Sequence, residues 1–449
     1  MTATRVDVLV IGGGPAGSTA ACLLARAGLS VLLCEREKFP RFHIGESLLP
    51  YTSRLWRRLG VYDQLVAAGF QRKWGARFKF EPGNDVTLLD FQHNLDKGSR
   101  MAFQVRRADY DQLLLKNAAA SGARVLEETE VTEFRREADN GVPGGISCAV
   151  ARSRSGEELE IEARFVIDAT GRDTLLGSRL GLKQRDKVLR QVALFRHFKN
   201  ANMGLGRDGG DILVIGGPYG WFWMIPLDQE TTSVGIVCPS HKMAERGERG
   251  LEAFYASLIA ESPEVSMRLA EAEAATPLEV AADFSYRCSH LYGKNWALAG
   301  DAACFLDPVF SSGVLLAMKS AERLADTIAP ALKAGKEPPA EDLEEYQKFV
   351  RRGLDRFRRY IVGFYEPGCA SVFRRRPPHF LKGACFSAFG GKIFERDFRI
   401  GAFNLAFFSR AAINRKIARR KWGELPAAPA CDVKEPEVLR QGLPFGKFG

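Results

Sequence analysis

The stretch from Val6 to Glu35, VDVLVIGGGPAGSTAACLLARAGLSVLLCE, opens with an unbroken apolar run, Val6–Ile11. A run without alternation suits a strand buried on both faces of a parallel sheet. Glycines and small residues follow, then a helical period over Pro15–Ala27, and a second apolar strand over Leu29–Cys34 that ends at Glu35. Strand, glycine turn, helix and strand in this order predict a dinucleotide-binding unit.

The chemistry of that unit explains its residues. Gly12 makes the turn, Gly14 and the small Ala16 leave room for a pyrophosphate, and Gly17 lets the helix lie against the strand. The helix N-terminus then faces the anion with its amides and dipole. Glu35 stands where ribose hydroxyls are expected to be held.

Further along, Phe39–Ile44 reads as a loop and Glu46–Leu59 as a helix, with Gly45-Glu46-Ser47 as the turn between them. Glu46 and Ser47 are candidates to face the cofactor, although Ser47 equally suits a helix cap. Alternation over Phe70–Phe80 and Met101–Val105 predicts sheet, and Arg106–Ala120 a helix whose first residue, Arg106, is a candidate cofactor contact. Strands are expected at Val125–Phe134, Ile146–Ala151 and Arg164–Thr170, the last ending in Asp168, Ala169, Thr170 and Gly171. Asp168 and Gly171 are placed against the dinucleotide by this ending.

Leu189–Lys199, Asp211–Pro218, Gly220–Pro226 and Thr231–Cys238 read as sheet, Leu251–Ala274 as helical, and Trp296–Gly300 as a strand running into Asp301. A helix over Gly313–Ile328 follows the turn at Ser311-Ser312-Gly313. Asp301 and Gly313 would meet the ribityl side of a flavin, which a nicotinamide cofactor would not require. Three such elements, at Gly12, Asp168 and Gly300, therefore favour FAD.

Length and charge change this picture at the C-terminal end. The chain has 449 residues and a formal net charge of +10. Tyr346–Trp422 carries 19 lysines and arginines against 4 acids, so the rest of the chain is slightly acidic. Nine cysteines without a CxxC pair, and a nucleotide strand starting at residue 6, predict a reducing, cytoplasmic setting. There are no repeats, no zinc-ligand spacing and no apolar run long enough for a membrane span.

The expected architecture is α/β: a Rossmann-like FAD-binding module with an interleaved β-sheet substrate domain, spanning 1–330, and a basic helical C-terminal region, 331–449. The substrate sheet is expected from about 70–105 and 187–285.

GGGPAG at Gly12–Gly17, RFHIGESLLP at Arg41–Pro50, DATGR at Asp168–Arg172, WFWMIP at Trp221–Pro226 and GDAACFLDPVFSSGV at Gly300–Val314 together resemble the flavin-dependent halogenases, in particular those acting on phenols and pyrroles. The first and third motifs occur across flavoprotein monooxygenases; the tryptophan motif and GESLLP are narrower. The resemblance covers about Val6–Asp326 and implies an aromatic-hydroxylase-like fold. It also implies two-component chemistry, in which a separate flavin reductase supplies FADH2 and O2 adds to give a C4a-hydroperoxyflavin. Chloride or bromide then becomes hypohalous acid, which reaches a lysine beside the aromatic substrate.

Carried onto this chain, the resemblance makes Lys73 that lysine, with Lys79 as runner-up and Glu46 as the carboxylate that orients the oxidant or takes the substrate proton. A lysine in this role must be partly desolvated; the plain alternative is one surface lysine among many. Ser312 and Gly313 would bind halide. Trp221 and Trp223, two apart on a strand and so on one side of it, would wall the flavin from the substrate, or else fill a sheet core. The acid that orients free tryptophan in indole-type relatives has no counterpart, which points away from that substrate.

Some family members act on substrates tethered to acidic carrier proteins. The basic clusters at Arg351, Arg352, Arg358 and Arg359, and at Arg374–Arg376, suit such a partner or a solvated helical face. Nucleic acid is disfavoured because no recognition module accompanies the charge. Phe403–Arg420 also has the mixture of a membrane-surface helix. An ordinary flavin monooxygenase, a double-bond reductase and a catalytically silent flavin-binding partner are the competing readings.

Overall fold

The computed structural model describes residues 3–81, 83, 86–136, 147–204, 206–282, 284–366, 379–395 and 397–409. Thr4–Ile11 lies at the centre of one sheet, parallel to Val31–Cys34 on one side and to Glu158–Asp168 on the other. Arg124–Leu126 and Trp296–Leu298 extend it outward, also in parallel. Val8, Leu9 and Val10 are wholly buried, as a strand covered on both faces requires.

The helix Pro15–Arg26 crosses directly over this strand. Gly17 makes the crossing possible: a Cβ there would collide with the carbonyl oxygen of Gly12. Gly12 has φ +101°, and a Cβ on it would strike the carbonyl of Ala169, so the turn and the end of the neighbouring strand touch backbone to backbone.

A second sheet runs in the order Glu273–Ala274, Gln191–Lys199, Thr231–Pro239, Gly220–Pro226, Ile212–Gly217, Gly75–Phe80 and Val86–Asp90. Only Ile212–Gly217 and Gly75–Phe80 pair in parallel within that path, which joins two stretches far apart in the chain. Strand alternation divides Gly220–Pro226 between two cores. Phe222 and Met224 pack outward on Phe254, Tyr255 and Leu258 of the helix Gly250–Ala260. Trp221, Trp223 and Ile225 face the main core between the layers.

Three elements differ from the sequence expectation. The helix expected over Glu46–Leu59 begins only at Thr52. Backbone groups of Glu46 and Leu48 instead bond Val105 and Phe103, drawing Ser47 into a bridge with Gln104, and Pro50 holds the preceding residue away from helical angles. Pro263 and its Ser262 cap divide the Leu251–Ala274 region into Gly250–Ala260 and Pro263–Arg268, and it ends in a strand. The helix from Gly313 runs on to Lys333, through Pro330.

The helix Ala340–Tyr365 packs along Gly313–Lys333 with an apolar stripe that includes Tyr346, Val350, Phe357 and Ile361. His379–Phe389 and residues 398–409 add helices, and Phe389 gathers Phe310, Tyr360, Phe403 and Phe407 around it. Among the described residues no helix is long and apolar enough to cross a membrane. Arg374–Arg376 and the part of Phe403–Arg420 beyond residue 409 lie outside the described residues.

Candidate active site

A cavity of about 490 Å³ opens between the two sheets, walled at one end by Gly12, Gly14, Ala16 and Glu35 and at the other by Trp221, Trp223, Ser312 and Gly313. Gly300 has φ +64°, and a Cβ there would lie 2.8 Å from that of Ala16.

Two arginines converge beside Gly14. Arg107 grips Asp111 through Nε and Nη2, both at 2.8 Å, and Arg41 reaches the same carboxylate at 3.1 Å. Two guanidiniums thus share one acid, leaving a positive excess beside Gly14. Arg41 Nε is buried without a partner among the described residues, and burial together with Arg107 and Arg41 pushes His43 down to about 3, so no further positive charge is added there. Glu35 accepts from the amides of Gly13 at 2.6 Å and Glu37 at 2.8 Å, which fixes its carboxylate at the cavity wall.

This donor set fits FAD. Arg41, Arg107 and the amides opening Pro15–Arg26 suit a pyrophosphate, and Glu35 suits ribose hydroxyls. Asp301 lines the cavity with its carboxyl raised to about 6 by burial, against the opposing pull of Arg107 and Arg172.

Not every sequence candidate reaches the cavity. Arg106 does not line it: its guanidinium turns outward to Asp228 at 2.5 Å and Thr231 at 3.0 Å. Arg107, the next residue, takes the inward place because a helix turns about 100° per residue. Asp168 is also behind the wall, where its carboxylate accepts from the Thr170 amide, the Thr170 hydroxyl and the Leu176 amide. It builds the turn that presents Ala169, Thr170 and Gly171. Gly17 likewise acts through the helix crossing and not at the cavity.

At the other end, Glu46 is buried, with Oε1 at 2.8 Å from His197 Nε2 and Oε2 without a hydrogen-bond partner among the described residues, while the residue lines the cavity. Trp221 and Trp223 stand side by side, ring centroids 6.0 Å apart. Their indole N–H groups donate to Tyr365 Oη at 2.8 Å and Ser233 Oγ at 3.2 Å. Ser311 is left-handed at φ 54°, and Ser312 then stands at the N-cap position of the helix Gly313–Lys333 without a side-chain capping bond, so the first amides of that helix open at the cavity.

Lys73 lies just beyond. Only 1% exposed, it sits in the short strand Gln71–Lys73 and lines a separate apolar space of about 20 Å³ with Leu49, Phe78, Phe91, Phe310 and Phe389. Its Nζ donates to Ser47 Oγ at 2.8 Å and Leu48 O at 3.0 Å. Burial lowers its ammonium to about 7, against a weaker upward pull from Asp211. Ser47, Ile212 and Ser311 connect the spaces: Ser47 lines the large one, and Ile212 and Ser311 line both. Lys79 is bound to Glu264 at 2.5 Å on the other side of the sheet region and lines neither space.

The sequence reading missed Arg41, Arg107, His197, Asp307 and Tyr365. For Arg107 a signal existed, its spacing of four from Asp111 on a helix. Arg41, His197 and Tyr365 meet their partners only through tertiary contacts, and Asp307, beyond its own turn at Val309, meets Tyr365 the same way.

Layers, cofactor cradle and crossing helices are those of a flavoprotein, and residues 5–351 match the FAD-binding domain family. A chlorinase of 1H-pyrrole-2-carbonyl peptidyl-carrier protein from Pseudomonas fluorescens is 31% identical over 384 residues, spanning 80% of this chain and 83% of its own. A tryptophan 2-halogenase of Chondromyces crocatus is 36% identical over 369 residues, 81% of this chain and 68% of its own. The solved structure of the myxobacterial chondrochloren halogenase, 33% identical, superposes over 92% of each chain with a TM-score of 0.76. The chain belongs to the flavin-dependent halogenases, enzymes that use FAD and halide.

Proposed function

We propose that this halogenase makes hypohalous acid in the large cavity and delivers it past Ser47, Ile212 and Ser311 to Lys73, where an electron-rich phenol or pyrrole is halogenated. The observation that carries this reading is Lys73 itself: a fully buried amine, lowered to about 7 and hydrogen-bonded to a residue of the flavin cavity. FAD, when reduced by a separate flavin reductase, would supply two electrons to O2 while halide gives up two more, so that one oxygen leaves in hypohalous acid and the other as water.

The chain's own groups would then act in sequence. Amides opening the helix at Ser312 and Gly313 hold halide. The free oxygen of Glu46, its carboxylate anchored by His197, orients the oxidant at the start of the passage. Because Glu46 lines the flavin cavity and not the space around Lys73, orientation suits it better than removing a proton from substrate. Neutral Lys73 attacks the halogen, giving a haloamine and water; transfer of the halogen to the ring returns the ring proton to the amine.

The space beside Lys73 has room for about one water molecule, so the larger oxidant enters only as the surrounding side chains give way. The aromatic rings around it, Phe78, Phe91, Phe310 and Phe389, suit a flat apolar substrate that displaces one of them. Trp221 and Trp223 would keep that substrate off the flavin.

A carrier-tethered substrate is supported by the pyrrole chlorinase relative and by the basic C-terminal stretch. Arg358 is engaged with Asp186 at 2.6 Å and Arg351 with the Ser289 carbonyl, which leaves Arg352 and the exposed Arg359 as the candidates of that cluster for a carrier contact. The test supplies photochemically reduced FAD, O2 and bromide to phenols, free tryptophan and a pyrrole-loaded carrier protein, with mass spectrometry of products. Bromination of a phenol or the pyrrole is expected without NAD(P)H. Hydroxylated product, or NAD(P)H oxidation by the enzyme alone, would overturn the reading.

A further inference from the structure

Trp221, Tyr365 and Asp307 form a hydrogen-bonded line that ends at the cavity wall. An indole N–H can only donate, so Tyr365 Oη must accept from Trp221, at 2.8 Å. The phenol hydrogen then goes to Asp307 Oδ2, also at 2.8 Å. Burial and the neighbouring Asp307 hold Tyr365 well above its ordinary value, so it keeps that hydrogen. The other oxygen of Asp307 accepts from the Val309 amide at 3.0 Å, in the turn that leads to Ser311 and Ser312.

Each member comes from a different part of the fold. Trp221 belongs to the inner face of Gly220–Pro226, Asp307 precedes the turn before the Gly313 helix, and Tyr365 is the last residue of Ala340–Tyr365. Trp221 and Asp307 line the flavin cavity; Tyr365 stands behind them and does not. Its neighbour Phe364 packs on Trp221 at 6.2 Å, on Phe310 at 6.0 Å and on Phe78 at 6.5 Å, the last two being walls of the Lys73 space. The end of one C-terminal helix therefore touches the walls of both spaces.

We infer that Tyr365 is a positioning residue, which clamps the Trp221 indole to Asp307 and so ties the C-terminal helix to the wall that keeps the oxidant on its way to Lys73. The inference rests on Trp221 as part of the partition. Without the phenol oxygen, indole and carboxylate each lose a partner in a buried place, and the ring is free to tilt. Oxidant then escapes instead of reaching Lys73, although reduced flavin is consumed as before.

The test uses the FAD-loaded full chain with its six tryptophans labelled at the indole nitrogen. Trp221→Phe identifies the Trp221 signal, and Tyr365→Phe should move that signal while leaving those of Trp74 and Trp296 in place. In turnover with bromide, Tyr365→Phe should lower brominated product per O2 consumed by roughly tenfold, at an unchanged rate of reduced-flavin oxidation. Asp307→Asn, whose amide oxygen still accepts from the phenol, should hold the signal and recover part of the yield; Asp307→Ala should do neither. An unmoved Trp221 signal in Tyr365→Phe would overturn the clamp, and a moved signal with unchanged yield would overturn its part in retaining oxidant. If the unaltered enzyme brominates nothing, the halogen-delivery reading fails, and the indole signal still decides the clamp.

Discussion

Lys73 Nζ donates to Ser47 Oγ at 2.8 Å, and this one bond spans the boundary between the flavin cavity, which Ser47 lines, and the apolar space that holds the amine. GESLLP thereby serves two sites at once. Glu46 and Ser47 face the cofactor side, while Leu48 O binds the amine and Leu49 walls its space.

Lys73 should impose a pH dependence on both rate and stability. Its folded value, about 7, lies below the 10.5 of an exposed lysine. The neutral, nucleophilic amine therefore forms as pH rises through about 7, and halogen transfer should rise with it. Stability follows the same direction: the unfolded chain binds the extra proton between the two values, so stability is lowest below about 7 and recovers toward 10.5. Lys73→Met should raise stability at pH 6 by an amount on the order of 3 kcal/mol and by much less at pH 10.5. Equal gains at both pH values, measured by denaturant unfolding, would contradict a neutral buried amine.

Ser47→Ala removes one of two acceptors that favour the charged form of Lys73. The acid limb of the rate profile should move to lower pH by about half to one unit. Titrating halogenation rate against pH in the two proteins checks this; a limb left in place would detach Ser47 from the amine.

Arg41→Ala should weaken FAD binding about tenfold to a hundredfold, the loss expected for a charge-assisted contact to phosphate. Flavin fluorescence titration measures it. The same substitution also leaves Asp111 with Arg107 alone, so thermal unfolding of the FAD-free chain should fall only slightly. Unchanged affinity would move the pyrophosphate away from Arg41.

Much of the fold can be read from local pattern because each signal lies within a few residues. The Val6–Ile11 run, the glycines before Pro15 and the alternation that sets Trp221 and Trp223 on one face all have this character. The cavity wall formed by Gly12, Gly14, Glu35 and Asp301 is legible for the same reason. What failed was local too: Arg106 was separated from Arg107 by one residue of helical phase, and Asp168 turned out to be spent on its own turn.

The substrate side depends on distant pairings. Lys73 and Lys79 share one phase in FQRKWGARFKF, and only the folded chain gives Lys79 to Glu264 and buries Lys73 beside Phe91. Burial, and with it the lowered proton affinity, is made by Leu49, Phe310 and Phe389, which come from three other segments. His197 and Tyr365 are hidden for the same reason, since their partners Glu46 and Asp307 lie 151 and 58 residues away.

The most direct measurement compares Lys73→Ala with the unaltered enzyme, both loaded with reduced FAD and mixed with O2 and bromide in the presence of a substrate that the unaltered enzyme brominates. The account predicts that the variant still binds FAD and oxidises it at a similar rate, releasing hydrogen peroxide or free hypobromite, while brominated product falls at least about a hundredfold. Product formed at the unaltered rate would contradict it and remove Lys73 from the path of the halogen.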